Sequence, residues 1–135
     1  MKIAMTCSVM DLFHEGHQRL LENMGKEADL VLVVLHDGFT TFKNKKKLPI
    51  ENLEKRTRNL IDSGMVDIIK HTFEAEPHKT FEEIIERYKD FEITFYRGND
   101  WLDFPGKATI EKHNIPIKYF QYSEGISSTL LRNEL

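Results

Sequence analysis

Residues 30–35 read Leu-Val-Leu-Val-Val-Leu, which is the longest apolar run in the chain. A strand with one face in water alternates apolar and polar residues, so an unbroken run is typical of a strand buried on both faces of a parallel sheet. The run is far too short to span a bilayer. It therefore predicts a central strand of a layered soluble fold rather than a membrane segment.

Strand-like and helix-like stretches alternate on both sides of this run. Further strands are predicted at residues 2–6, 66–70, 93–96 and 117–120. Helices are predicted at residues 16–26, 51–63, 80–88, 108–113 and 127–133. The third of these helices has Thr80 as its expected N-cap, with Glu83 completing a capping box. The alternation predicts an α/β fold, with a five-stranded, mostly parallel sheet and helices on both faces.

Size, charge and cysteine content narrow the class of protein. The 135 residues, 40% of them hydrophobic and 30% charged, are predicted to form one domain over residues 1–135. A formal net charge of -3 argues against non-specific binding to nucleic acid. The single cysteine, Cys7, cannot form an internal disulfide, and no signal peptide is recognised before the first strand. We therefore expect a cytoplasmic protein with no nucleic-acid or membrane partner.

The segment 11–17, Asp-Leu-Phe-His-Glu-Gly-His, lies between the first predicted strand and the first predicted helix. His14 and His17 are three residues apart, so on a helical turn their side chains share one face. Gly16 has no side chain and lets a bulky anion approach the helix N-terminus, where unpaired N–H groups favour negative charge. The pattern predicts a polyphosphate site. The alternatives are a coincidental spacing, or a zinc site for which no third ligand has a telling spacing.

Three further polar segments follow predicted strands, where an open α/β sheet binds its ligands. Residues 43–47, Lys-Asn-Lys-Lys-Lys, are either a solvated loop or a loop that neutralises a triphosphate. Residues 98–101, Gly-Asn-Asp-Trp, offer polar groups and a ring to a base or sugar, or else form a turn before a core tryptophan. Residues 123–129 end in hydroxyl side chains at a helix start, where they bind phosphate, cap the helix, or do both.

The segments 11–17, 98–101 and 124–129 together resemble the motifs of the cytidylyltransferases, in particular the glycerol-3-phosphate cytidylyltransferases. The resemblance extends over nearly the whole chain. The His-x-Gly-His element is shared with the wider nucleotidyltransferase superfamily, whereas the other two segments are more specific. The resemblance implies a Rossmann-like domain, a homodimer and direct attack of a substrate phosphate on the α-phosphate of CTP. It also implies dependence on Mg²⁺, held mainly by phosphates rather than by protein side chains.

The same resemblance implies roles for individual residues. His14 and His17 would stabilise the transition state, and the loop lysines Lys43 and Lys45 would contact phosphates. The implied nucleotide-binding residues are Ser8, Val9, Gly16, Asn99, Asp100, Ser127, Ser128 and Thr129. The implied acceptor-binding residues are Asp11, Arg56, Trp101 and Tyr122.

The chain departs from the family pattern at three places. Residues 8–11 read Ser-Val-Met-Asp, where the family usually has Gly-Thr-Phe-Asp. Arginines are usual where this chain has Tyr122 and, before the third strand, residues 63–65 (Ser-Gly-Met). Because tyrosine and glycine do not reproduce a bidentate arginine–phosphate contact, the acceptor is left open.

Several substrates and one other class of protein therefore stay open. The acceptor candidates are glycerol 3-phosphate, which would give CDP-glycerol and pyrophosphate, choline or ethanolamine phosphate, and a sugar phosphate. An ATP-dependent adenylyl transfer such as FAD synthesis is a further alternative. A nucleotide-binding regulator without catalysis is the alternative outside the enzymes.

Overall fold

The structure is a computed structural model that describes residues 1–38, 48–98 and 104–120. Strands and helices alternate through these residues, as the sequence predicts. The strands are β1 (Lys2–Ser8), β2 (Leu30–His36), β3 (Ile68–Thr72), β4 (Glu92–Gly98) and β5 (Ile117–Phe120). The helices are α1 (Glu15–Glu27), α2 (Leu53–Ser63), α3 (His78–Arg87) and α4 (Lys107–Lys112), with a 3₁₀ turn (Asp11–Phe13) before α1. The helix predicted at residues 127–133 lies outside the described residues.

The five described strands form one sheet in the order β3-β2-β1-β4-β5, and every neighbouring pair is parallel. The predicted mostly parallel sheet is thus confirmed as wholly parallel within the described residues. The chain order reverses at the central strand, β1, and ligands of such sheets bind beyond the carboxyl ends at this reversal. The fold therefore places the end of β1 where a site is expected.

Strand β2 is buried on both faces, as its apolar run predicts. Val31, Val33 and Leu35 join the core under α1 and α2, whereas Leu32 and Val34 join the core under α3 and α4. Successive side chains of a strand point to opposite faces, so each residue of the run has a core to enter. Helices on both faces of the sheet are therefore confirmed.

Helix α3 begins differently from the prediction. It starts at His78 with Pro77 at the N-cap position, and no side chain caps it. Thr80 lies inside the first turn, where its backbone N–H and its hydroxyl donate to the Glu74 carboxylate at 2.9 and 2.6 Å. The predicted capping box is wrong because a carboxylate from the preceding loop supplies the acceptor that the pattern assigned to Thr80.

Helix α2 begins at Leu53, two residues later than predicted, because Asn52 is its N-cap. The Asn52 side chain accepts a hydrogen bond from the backbone N–H of Lys55 at 2.8 Å. The helix ends at Gly64, whose φ of 70° suits the left-handed position after a helix. This start places Arg56 in the first turn on the buried side of the helix.

None of the helices in residues 1–38, 48–98 and 104–120 has the length and apolar content that a membrane crossing requires.

Candidate active site

The turn between β1 and α1 carries the predicted histidine pair beyond the carboxyl end of the central strand. Three non-glycine residues there have positive φ: Met10 at 53°, Leu12 at 63° and Phe13 at 31°. Each such residue costs on the order of 1–3 kcal/mol and persists only where its surroundings hold it. Strain of this kind concentrates at functional sites. The strained conformation of residues 10–13 must therefore be stabilised by contacts with other parts of the protein.

The rings of His14 and His17 stack face to face in this turn. Their centroids are 3.7 Å apart and their planes are inclined by 20°. His14 is the N-cap of α1, and the backbone N–H of Gly16 donates to its Nδ1 at 3.0 Å. Neutral His14 therefore carries its proton on Nε2. The two rings lie together as their spacing predicts, while their contact with a phosphate stays a prediction.

Burial sets the charge of the pair. The pKa of His17 is lowered to about 3, mainly by burial and further by the neighbouring His14, while Asp11 acts in the opposite direction. Burial also lowers the pKa of His14, again with Asp11 opposing. Both rings are therefore neutral at pH 7 and can act as hydrogen-bonding groups rather than as cations.

His17 has an unusual buried nitrogen. Its Nδ1 is buried and has no hydrogen-bond partner among the described residues. Native proteins leave few buried polar atoms unpaired, and each costs about 1–3 kcal/mol. Such an atom beside the His14 ring makes the histidine pair a candidate for function.

Asp11 and Glu51 hold the strained turn against the start of α2. The buried Asp11 carboxylate accepts from the backbone N–H groups of Ile50 at 2.9 Å and Glu51 at 3.0 Å. In return, the Glu51 carboxylate accepts from the backbone N–H of Leu12 at 2.9 Å. Both oxygens of Asp11 thus bind this chain's own backbone, and its contact with an acceptor stays a prediction.

Arg56 lies beside this pair and is only 1% exposed. Its guanidinium donates to four backbone carbonyls: Val9 at 3.0 Å, His36 at 2.6 Å, Asp37 at 2.5 Å and Glu51 at 3.0 Å. Burial lowers the pKa of Arg56, and the carboxylates of Asp11, Asp37 and Glu51 act against that. Arginine stays protonated at neutral pH. The sequence predicts that this fork faces the acceptor, whereas in the structure it faces the protein's own carbonyls.

The other predicted residues divide into two groups. Ser8 is half-buried at the end of β1, and its hydroxyl oxygen accepts from the backbone N–H of Met10 at 3.3 Å. Val9 follows it and presents its carbonyl to Arg56. The predicted site residues outside the described part of the chain are Lys43, Lys45, Asn99, Asp100, Trp101, Tyr122, Ser127, Ser128 and Thr129.

Sequence reasoning missed three residues at this edge of the sheet. The sequence predicts only that Glu51 begins a helix, and no pattern distinguishes it from a surface glutamate. Gly38 has a φ of 102°. A glycine just after a buried strand is a signal in the sequence that could have identified this position. Arg97, next to the Gly98 motif, donates to the carbonyl of Cys7 and so joins the ends of β4 and β1.

Comparison with known proteins places this geometry in a family. A family model described as cytidylyltransferase-like matches residues 5–134. The glycerol-3-phosphate cytidylyltransferase of Bacillus subtilis (strain 168) is 31% identical over 137 aligned positions, which cover 100% of this chain and 98% of that protein. The protein of the same name from Staphylococcus aureus (strain NCTC 8325 / PS 47) is 29% identical over 137 positions, covering 100% and 96%.

A solved structure gives the same result for the fold. The lipopolysaccharide core biosynthesis protein from Thermoplasma volcanium GSS1 superimposes with a TM-score of 0.70 at 25% identity, covering 91% of this chain and 97% of that one. With the wholly parallel described sheet and the match over residues 5–134, this chain belongs to the cytidylyltransferase-like family of nucleotidyltransferases.

Proposed function

We propose that this enzyme transfers CMP from CTP to glycerol 3-phosphate and releases CDP-glycerol and pyrophosphate. The full-length relatives named glycerol-3-phosphate cytidylyltransferase support this choice of substrates. The observation that carries the transfer itself is the stacked pair of neutral histidines, His14 and His17, at the start of α1. The pair lies beyond the carboxyl end of the central strand, where sheets of this type bind nucleotides.

The reaction needs alignment and charge stabilisation more than it needs a nucleophile from the protein. An oxygen of the acceptor phosphate forms a bond to the α-phosphorus of CTP. The bond from that phosphorus to the pyrophosphate oxygen breaks, and its electron pair leaves with pyrophosphate. The protein's contribution is to hold the three groups in line and stabilise the charge on the transferring group.

The histidines suit this task because they are neutral. The Nε2–H of His14 can donate to a phosphate oxygen while its Nδ1 stays occupied by Gly16. His17 supports that ring by stacking on it, and the buried Nδ1 of His17 has no hydrogen-bond partner among the described residues. A donor that need not lose or gain a proton during the transfer stabilises developing negative charge without a separate acid–base step.

The remaining predicted contacts belong to this proposal. Lys43 and Lys45 would neutralise the phosphates, the residues named above as nucleotide-binding would hold CTP, and the enzyme would act as a cytoplasmic homodimer. Among the described residues, no group of three or more His, Cys, Asp or Glu side chains is placed to hold a metal ion. We propose that Mg²⁺ arrives with the nucleotide, bound by phosphate oxygens, where it would neutralise phosphate charge.

Pyrophosphate release measured over four nucleotides and a panel of acceptors tests the proposal. The nucleotides are CTP, ATP, GTP and UTP, and the acceptors are glycerol 3-phosphate, choline phosphate, ethanolamine phosphate and a sugar phosphate. We expect release with CTP and glycerol 3-phosphate, and a product with the mass of CDP-glycerol. If pyrophosphate is released only with CTP and a different acceptor, that acceptor replaces glycerol 3-phosphate in the proposal. Release with ATP alone, or with no pair, would contradict the cytidylyl transfer.

A further inference from the structure

We propose that Arg56 is a positioning residue that contacts neither substrate. Its buried guanidinium fixes the turn between β1 and α1 (residues 9–14, the histidine turn) relative to Asp37 and Glu51, which lie on either side of the lysine segment in the sequence. The inference rests on the proposed function, because that reaction needs the histidines and the lysine segment to meet at one polyphosphate. It replaces the acceptor contact that the sequence predicts for Arg56.

The four carbonyls that Arg56 binds come from three separate segments. Val9 belongs to the histidine turn, His36 ends β2 and is followed by Asp37, and Glu51 precedes α2. The chain therefore leaves the guanidinium at Asp37 and returns to it at Glu51. The lysines at positions 43, 45, 46 and 47 lie between these two points in the sequence.

Gly38 and Pro49 bring the same two ends into direct contact. A Cβ on Gly38 would lie 2.5 Å from Cγ and 2.9 Å from Cδ of Pro49, and 3.3 Å from Nη2 of Arg56. Such distances leave no room for a side chain, and the φ of 102° is one that residues with a side chain rarely adopt. The glycine allows the two ends to close against each other beside the guanidinium.

The carboxylates around Arg56 complete the same unit. Asp11 binds the backbone of Ile50 and Glu51, and Glu51 binds the backbone of Leu12, so each end of the contact fixes the other. The buried guanidinium carries the charge opposite to that of these carboxylates. A buried ion is tolerated in a low-dielectric site when it is paired in this way. An arginine that binds an acceptor phosphate presents an accessible planar fork, whereas Arg56 uses four N–H groups on its own backbone.

Arg56→Lys tests the inference, with Arg58→Lys as the matched control. Arg58 lies on the same helix with a side chain that is 66% exposed, and its carboxylate partner Glu54 is 3.8 Å away. A lysine keeps the charge but cannot reach four carbonyls. We expect the kcat of Arg56→Lys to fall about 100-fold with the KM for the acceptor within about twofold, the scale for a site displaced by an ångström. Arg58→Lys should match the wild type.

Two kinetic results would overturn the inference. A raised KM for the acceptor with kcat kept would return Arg56 to the substrate side of the site. Wild-type values for both constants would show that the guanidinium fork positions nothing. The comparison is made at a temperature where circular dichroism shows both variants folded.

Gly38→Ala gives a second test if Arg56→Lys does not fold. The added methyl group forces Gly38 and Pro49 apart while Arg56 is kept, so kcat should fall at least about tenfold. Gly64→Ala is the matched control: its φ is also positive, at 70°, but no atom lies within 4 Å of the new Cβ. A folded Gly38→Ala enzyme with the wild-type kcat would contradict the inference.

A spectroscopic readout separates this inference from the proposed function. If the wild type releases no pyrophosphate with any pair of substrates, the proposed function fails. The positioning role of Arg56 is then judged from the nitrogen-15 signals of the His14 and His17 rings. These signals should move in Arg56→Lys and stay in place in Arg58→Lys. Unchanged ring signals in Arg56→Lys would overturn the positioning role.

Discussion

The histidine turn and the Arg56 clamp, defined by Arg56 and the four carbonyls it binds, bury basic side chains at the same edge of the sheet in opposite ways. His17 is 6% exposed and Arg56 is 1% exposed. The imidazole is neutral, and its Nδ1 has no hydrogen-bond partner within the described part of the chain. The guanidinium keeps its charge and uses it on four carbonyls beside three carboxylates.

On the proposed function, this difference separates a group that serves a ligand from a group that serves the fold. A satisfied buried charge is expensive to disturb but needs no further partner. An unsatisfied buried nitrogen lowers stability and is the kind of local cost that proteins carry at functional sites. Removing the arginine should therefore damage stability first, whereas removing a histidine should damage turnover first.

The largest effect on stability is expected for Arg56→Met. The change removes four hydrogen bonds and leaves the Asp11 carboxylate buried without its counter-charge. The free energy of unfolding should fall by about 3–5 kcal/mol, the usual cost of breaking a buried ionic unit. Urea titration measures it, and a loss of less than about 1 kcal/mol would remove the contrast with His17.

Turnover should respond most to the histidines. In His14→Ala and His17→Ala, kcat should fall by about 10²–10³, the scale for losing one transition-state donor. Pyrophosphate release from CTP measures the rate, and circular dichroism confirms that each variant is folded. Wild-type turnover in either folded variant would show that the pair takes no part in the transfer.

The pH dependence of stability sharpens the comparison further. Above pH 6.5, His17 is neutral in both the folded and the unfolded chain. As the pH falls from 6.5 towards the folded pKa of about 3, only the unfolded chain takes up the proton, so stability is lost. At pH 5 the loss from His17 is about 2 kcal/mol.

His17→Gln is the control for this titration. Urea unfolding at pH 7 and pH 5 should show a loss in the wild type that exceeds the loss in the variant by about 2 kcal/mol. Equal losses in the two proteins would mean that His17 keeps its ordinary pKa in the folded state, and the lowered pKa of the buried ring would be refuted.

The smallest effect is expected for Gly64→Ala, at the far end of α2 from Arg56. A residue with a side chain is strained at a φ of 70°, which costs about 1 kcal/mol, yet nothing crowds the new methyl group. Thermal unfolding should show the loss while kcat stays at the wild-type value. A fall in kcat would mean that strain anywhere along α2 reaches the site, which would weaken the special role of Gly38.

The sequence predicted the layers of the fold because they depend on local patterns. The run at residues 30–35 carries its burial on both faces in its own composition, and the spacing of His14 and His17 determines that they meet. The order of the strands depends on contacts distant in sequence, and the start of α3 depends on a contact with the preceding loop, that between Glu74 and Thr80. A capping pattern in the sequence cannot show that the Glu74 carboxylate supplies the acceptor in place of the Thr80 side chain.

The site was predictable only in part, for a related reason. Arg56 and Asp11 have the residue types that bind phosphates and acceptors, and resemblance assigned them there. Which way a buried fork points depends on carbonyls from three segments, and no local pattern carries that information. The pairing of Gly38 with Pro49 is of the same kind.

The neutral state of the histidine pair is tested most directly by the nitrogen-15 spectrum of the two rings at pH 7, recorded with and without CTP and Mg²⁺. We expect both rings to be neutral in the free enzyme, with the His14 proton on Nε2, and we expect CTP to shift the His17 Nδ1 signal. An imidazolium at either position, or a His17 signal that ignores CTP, would contradict this expectation.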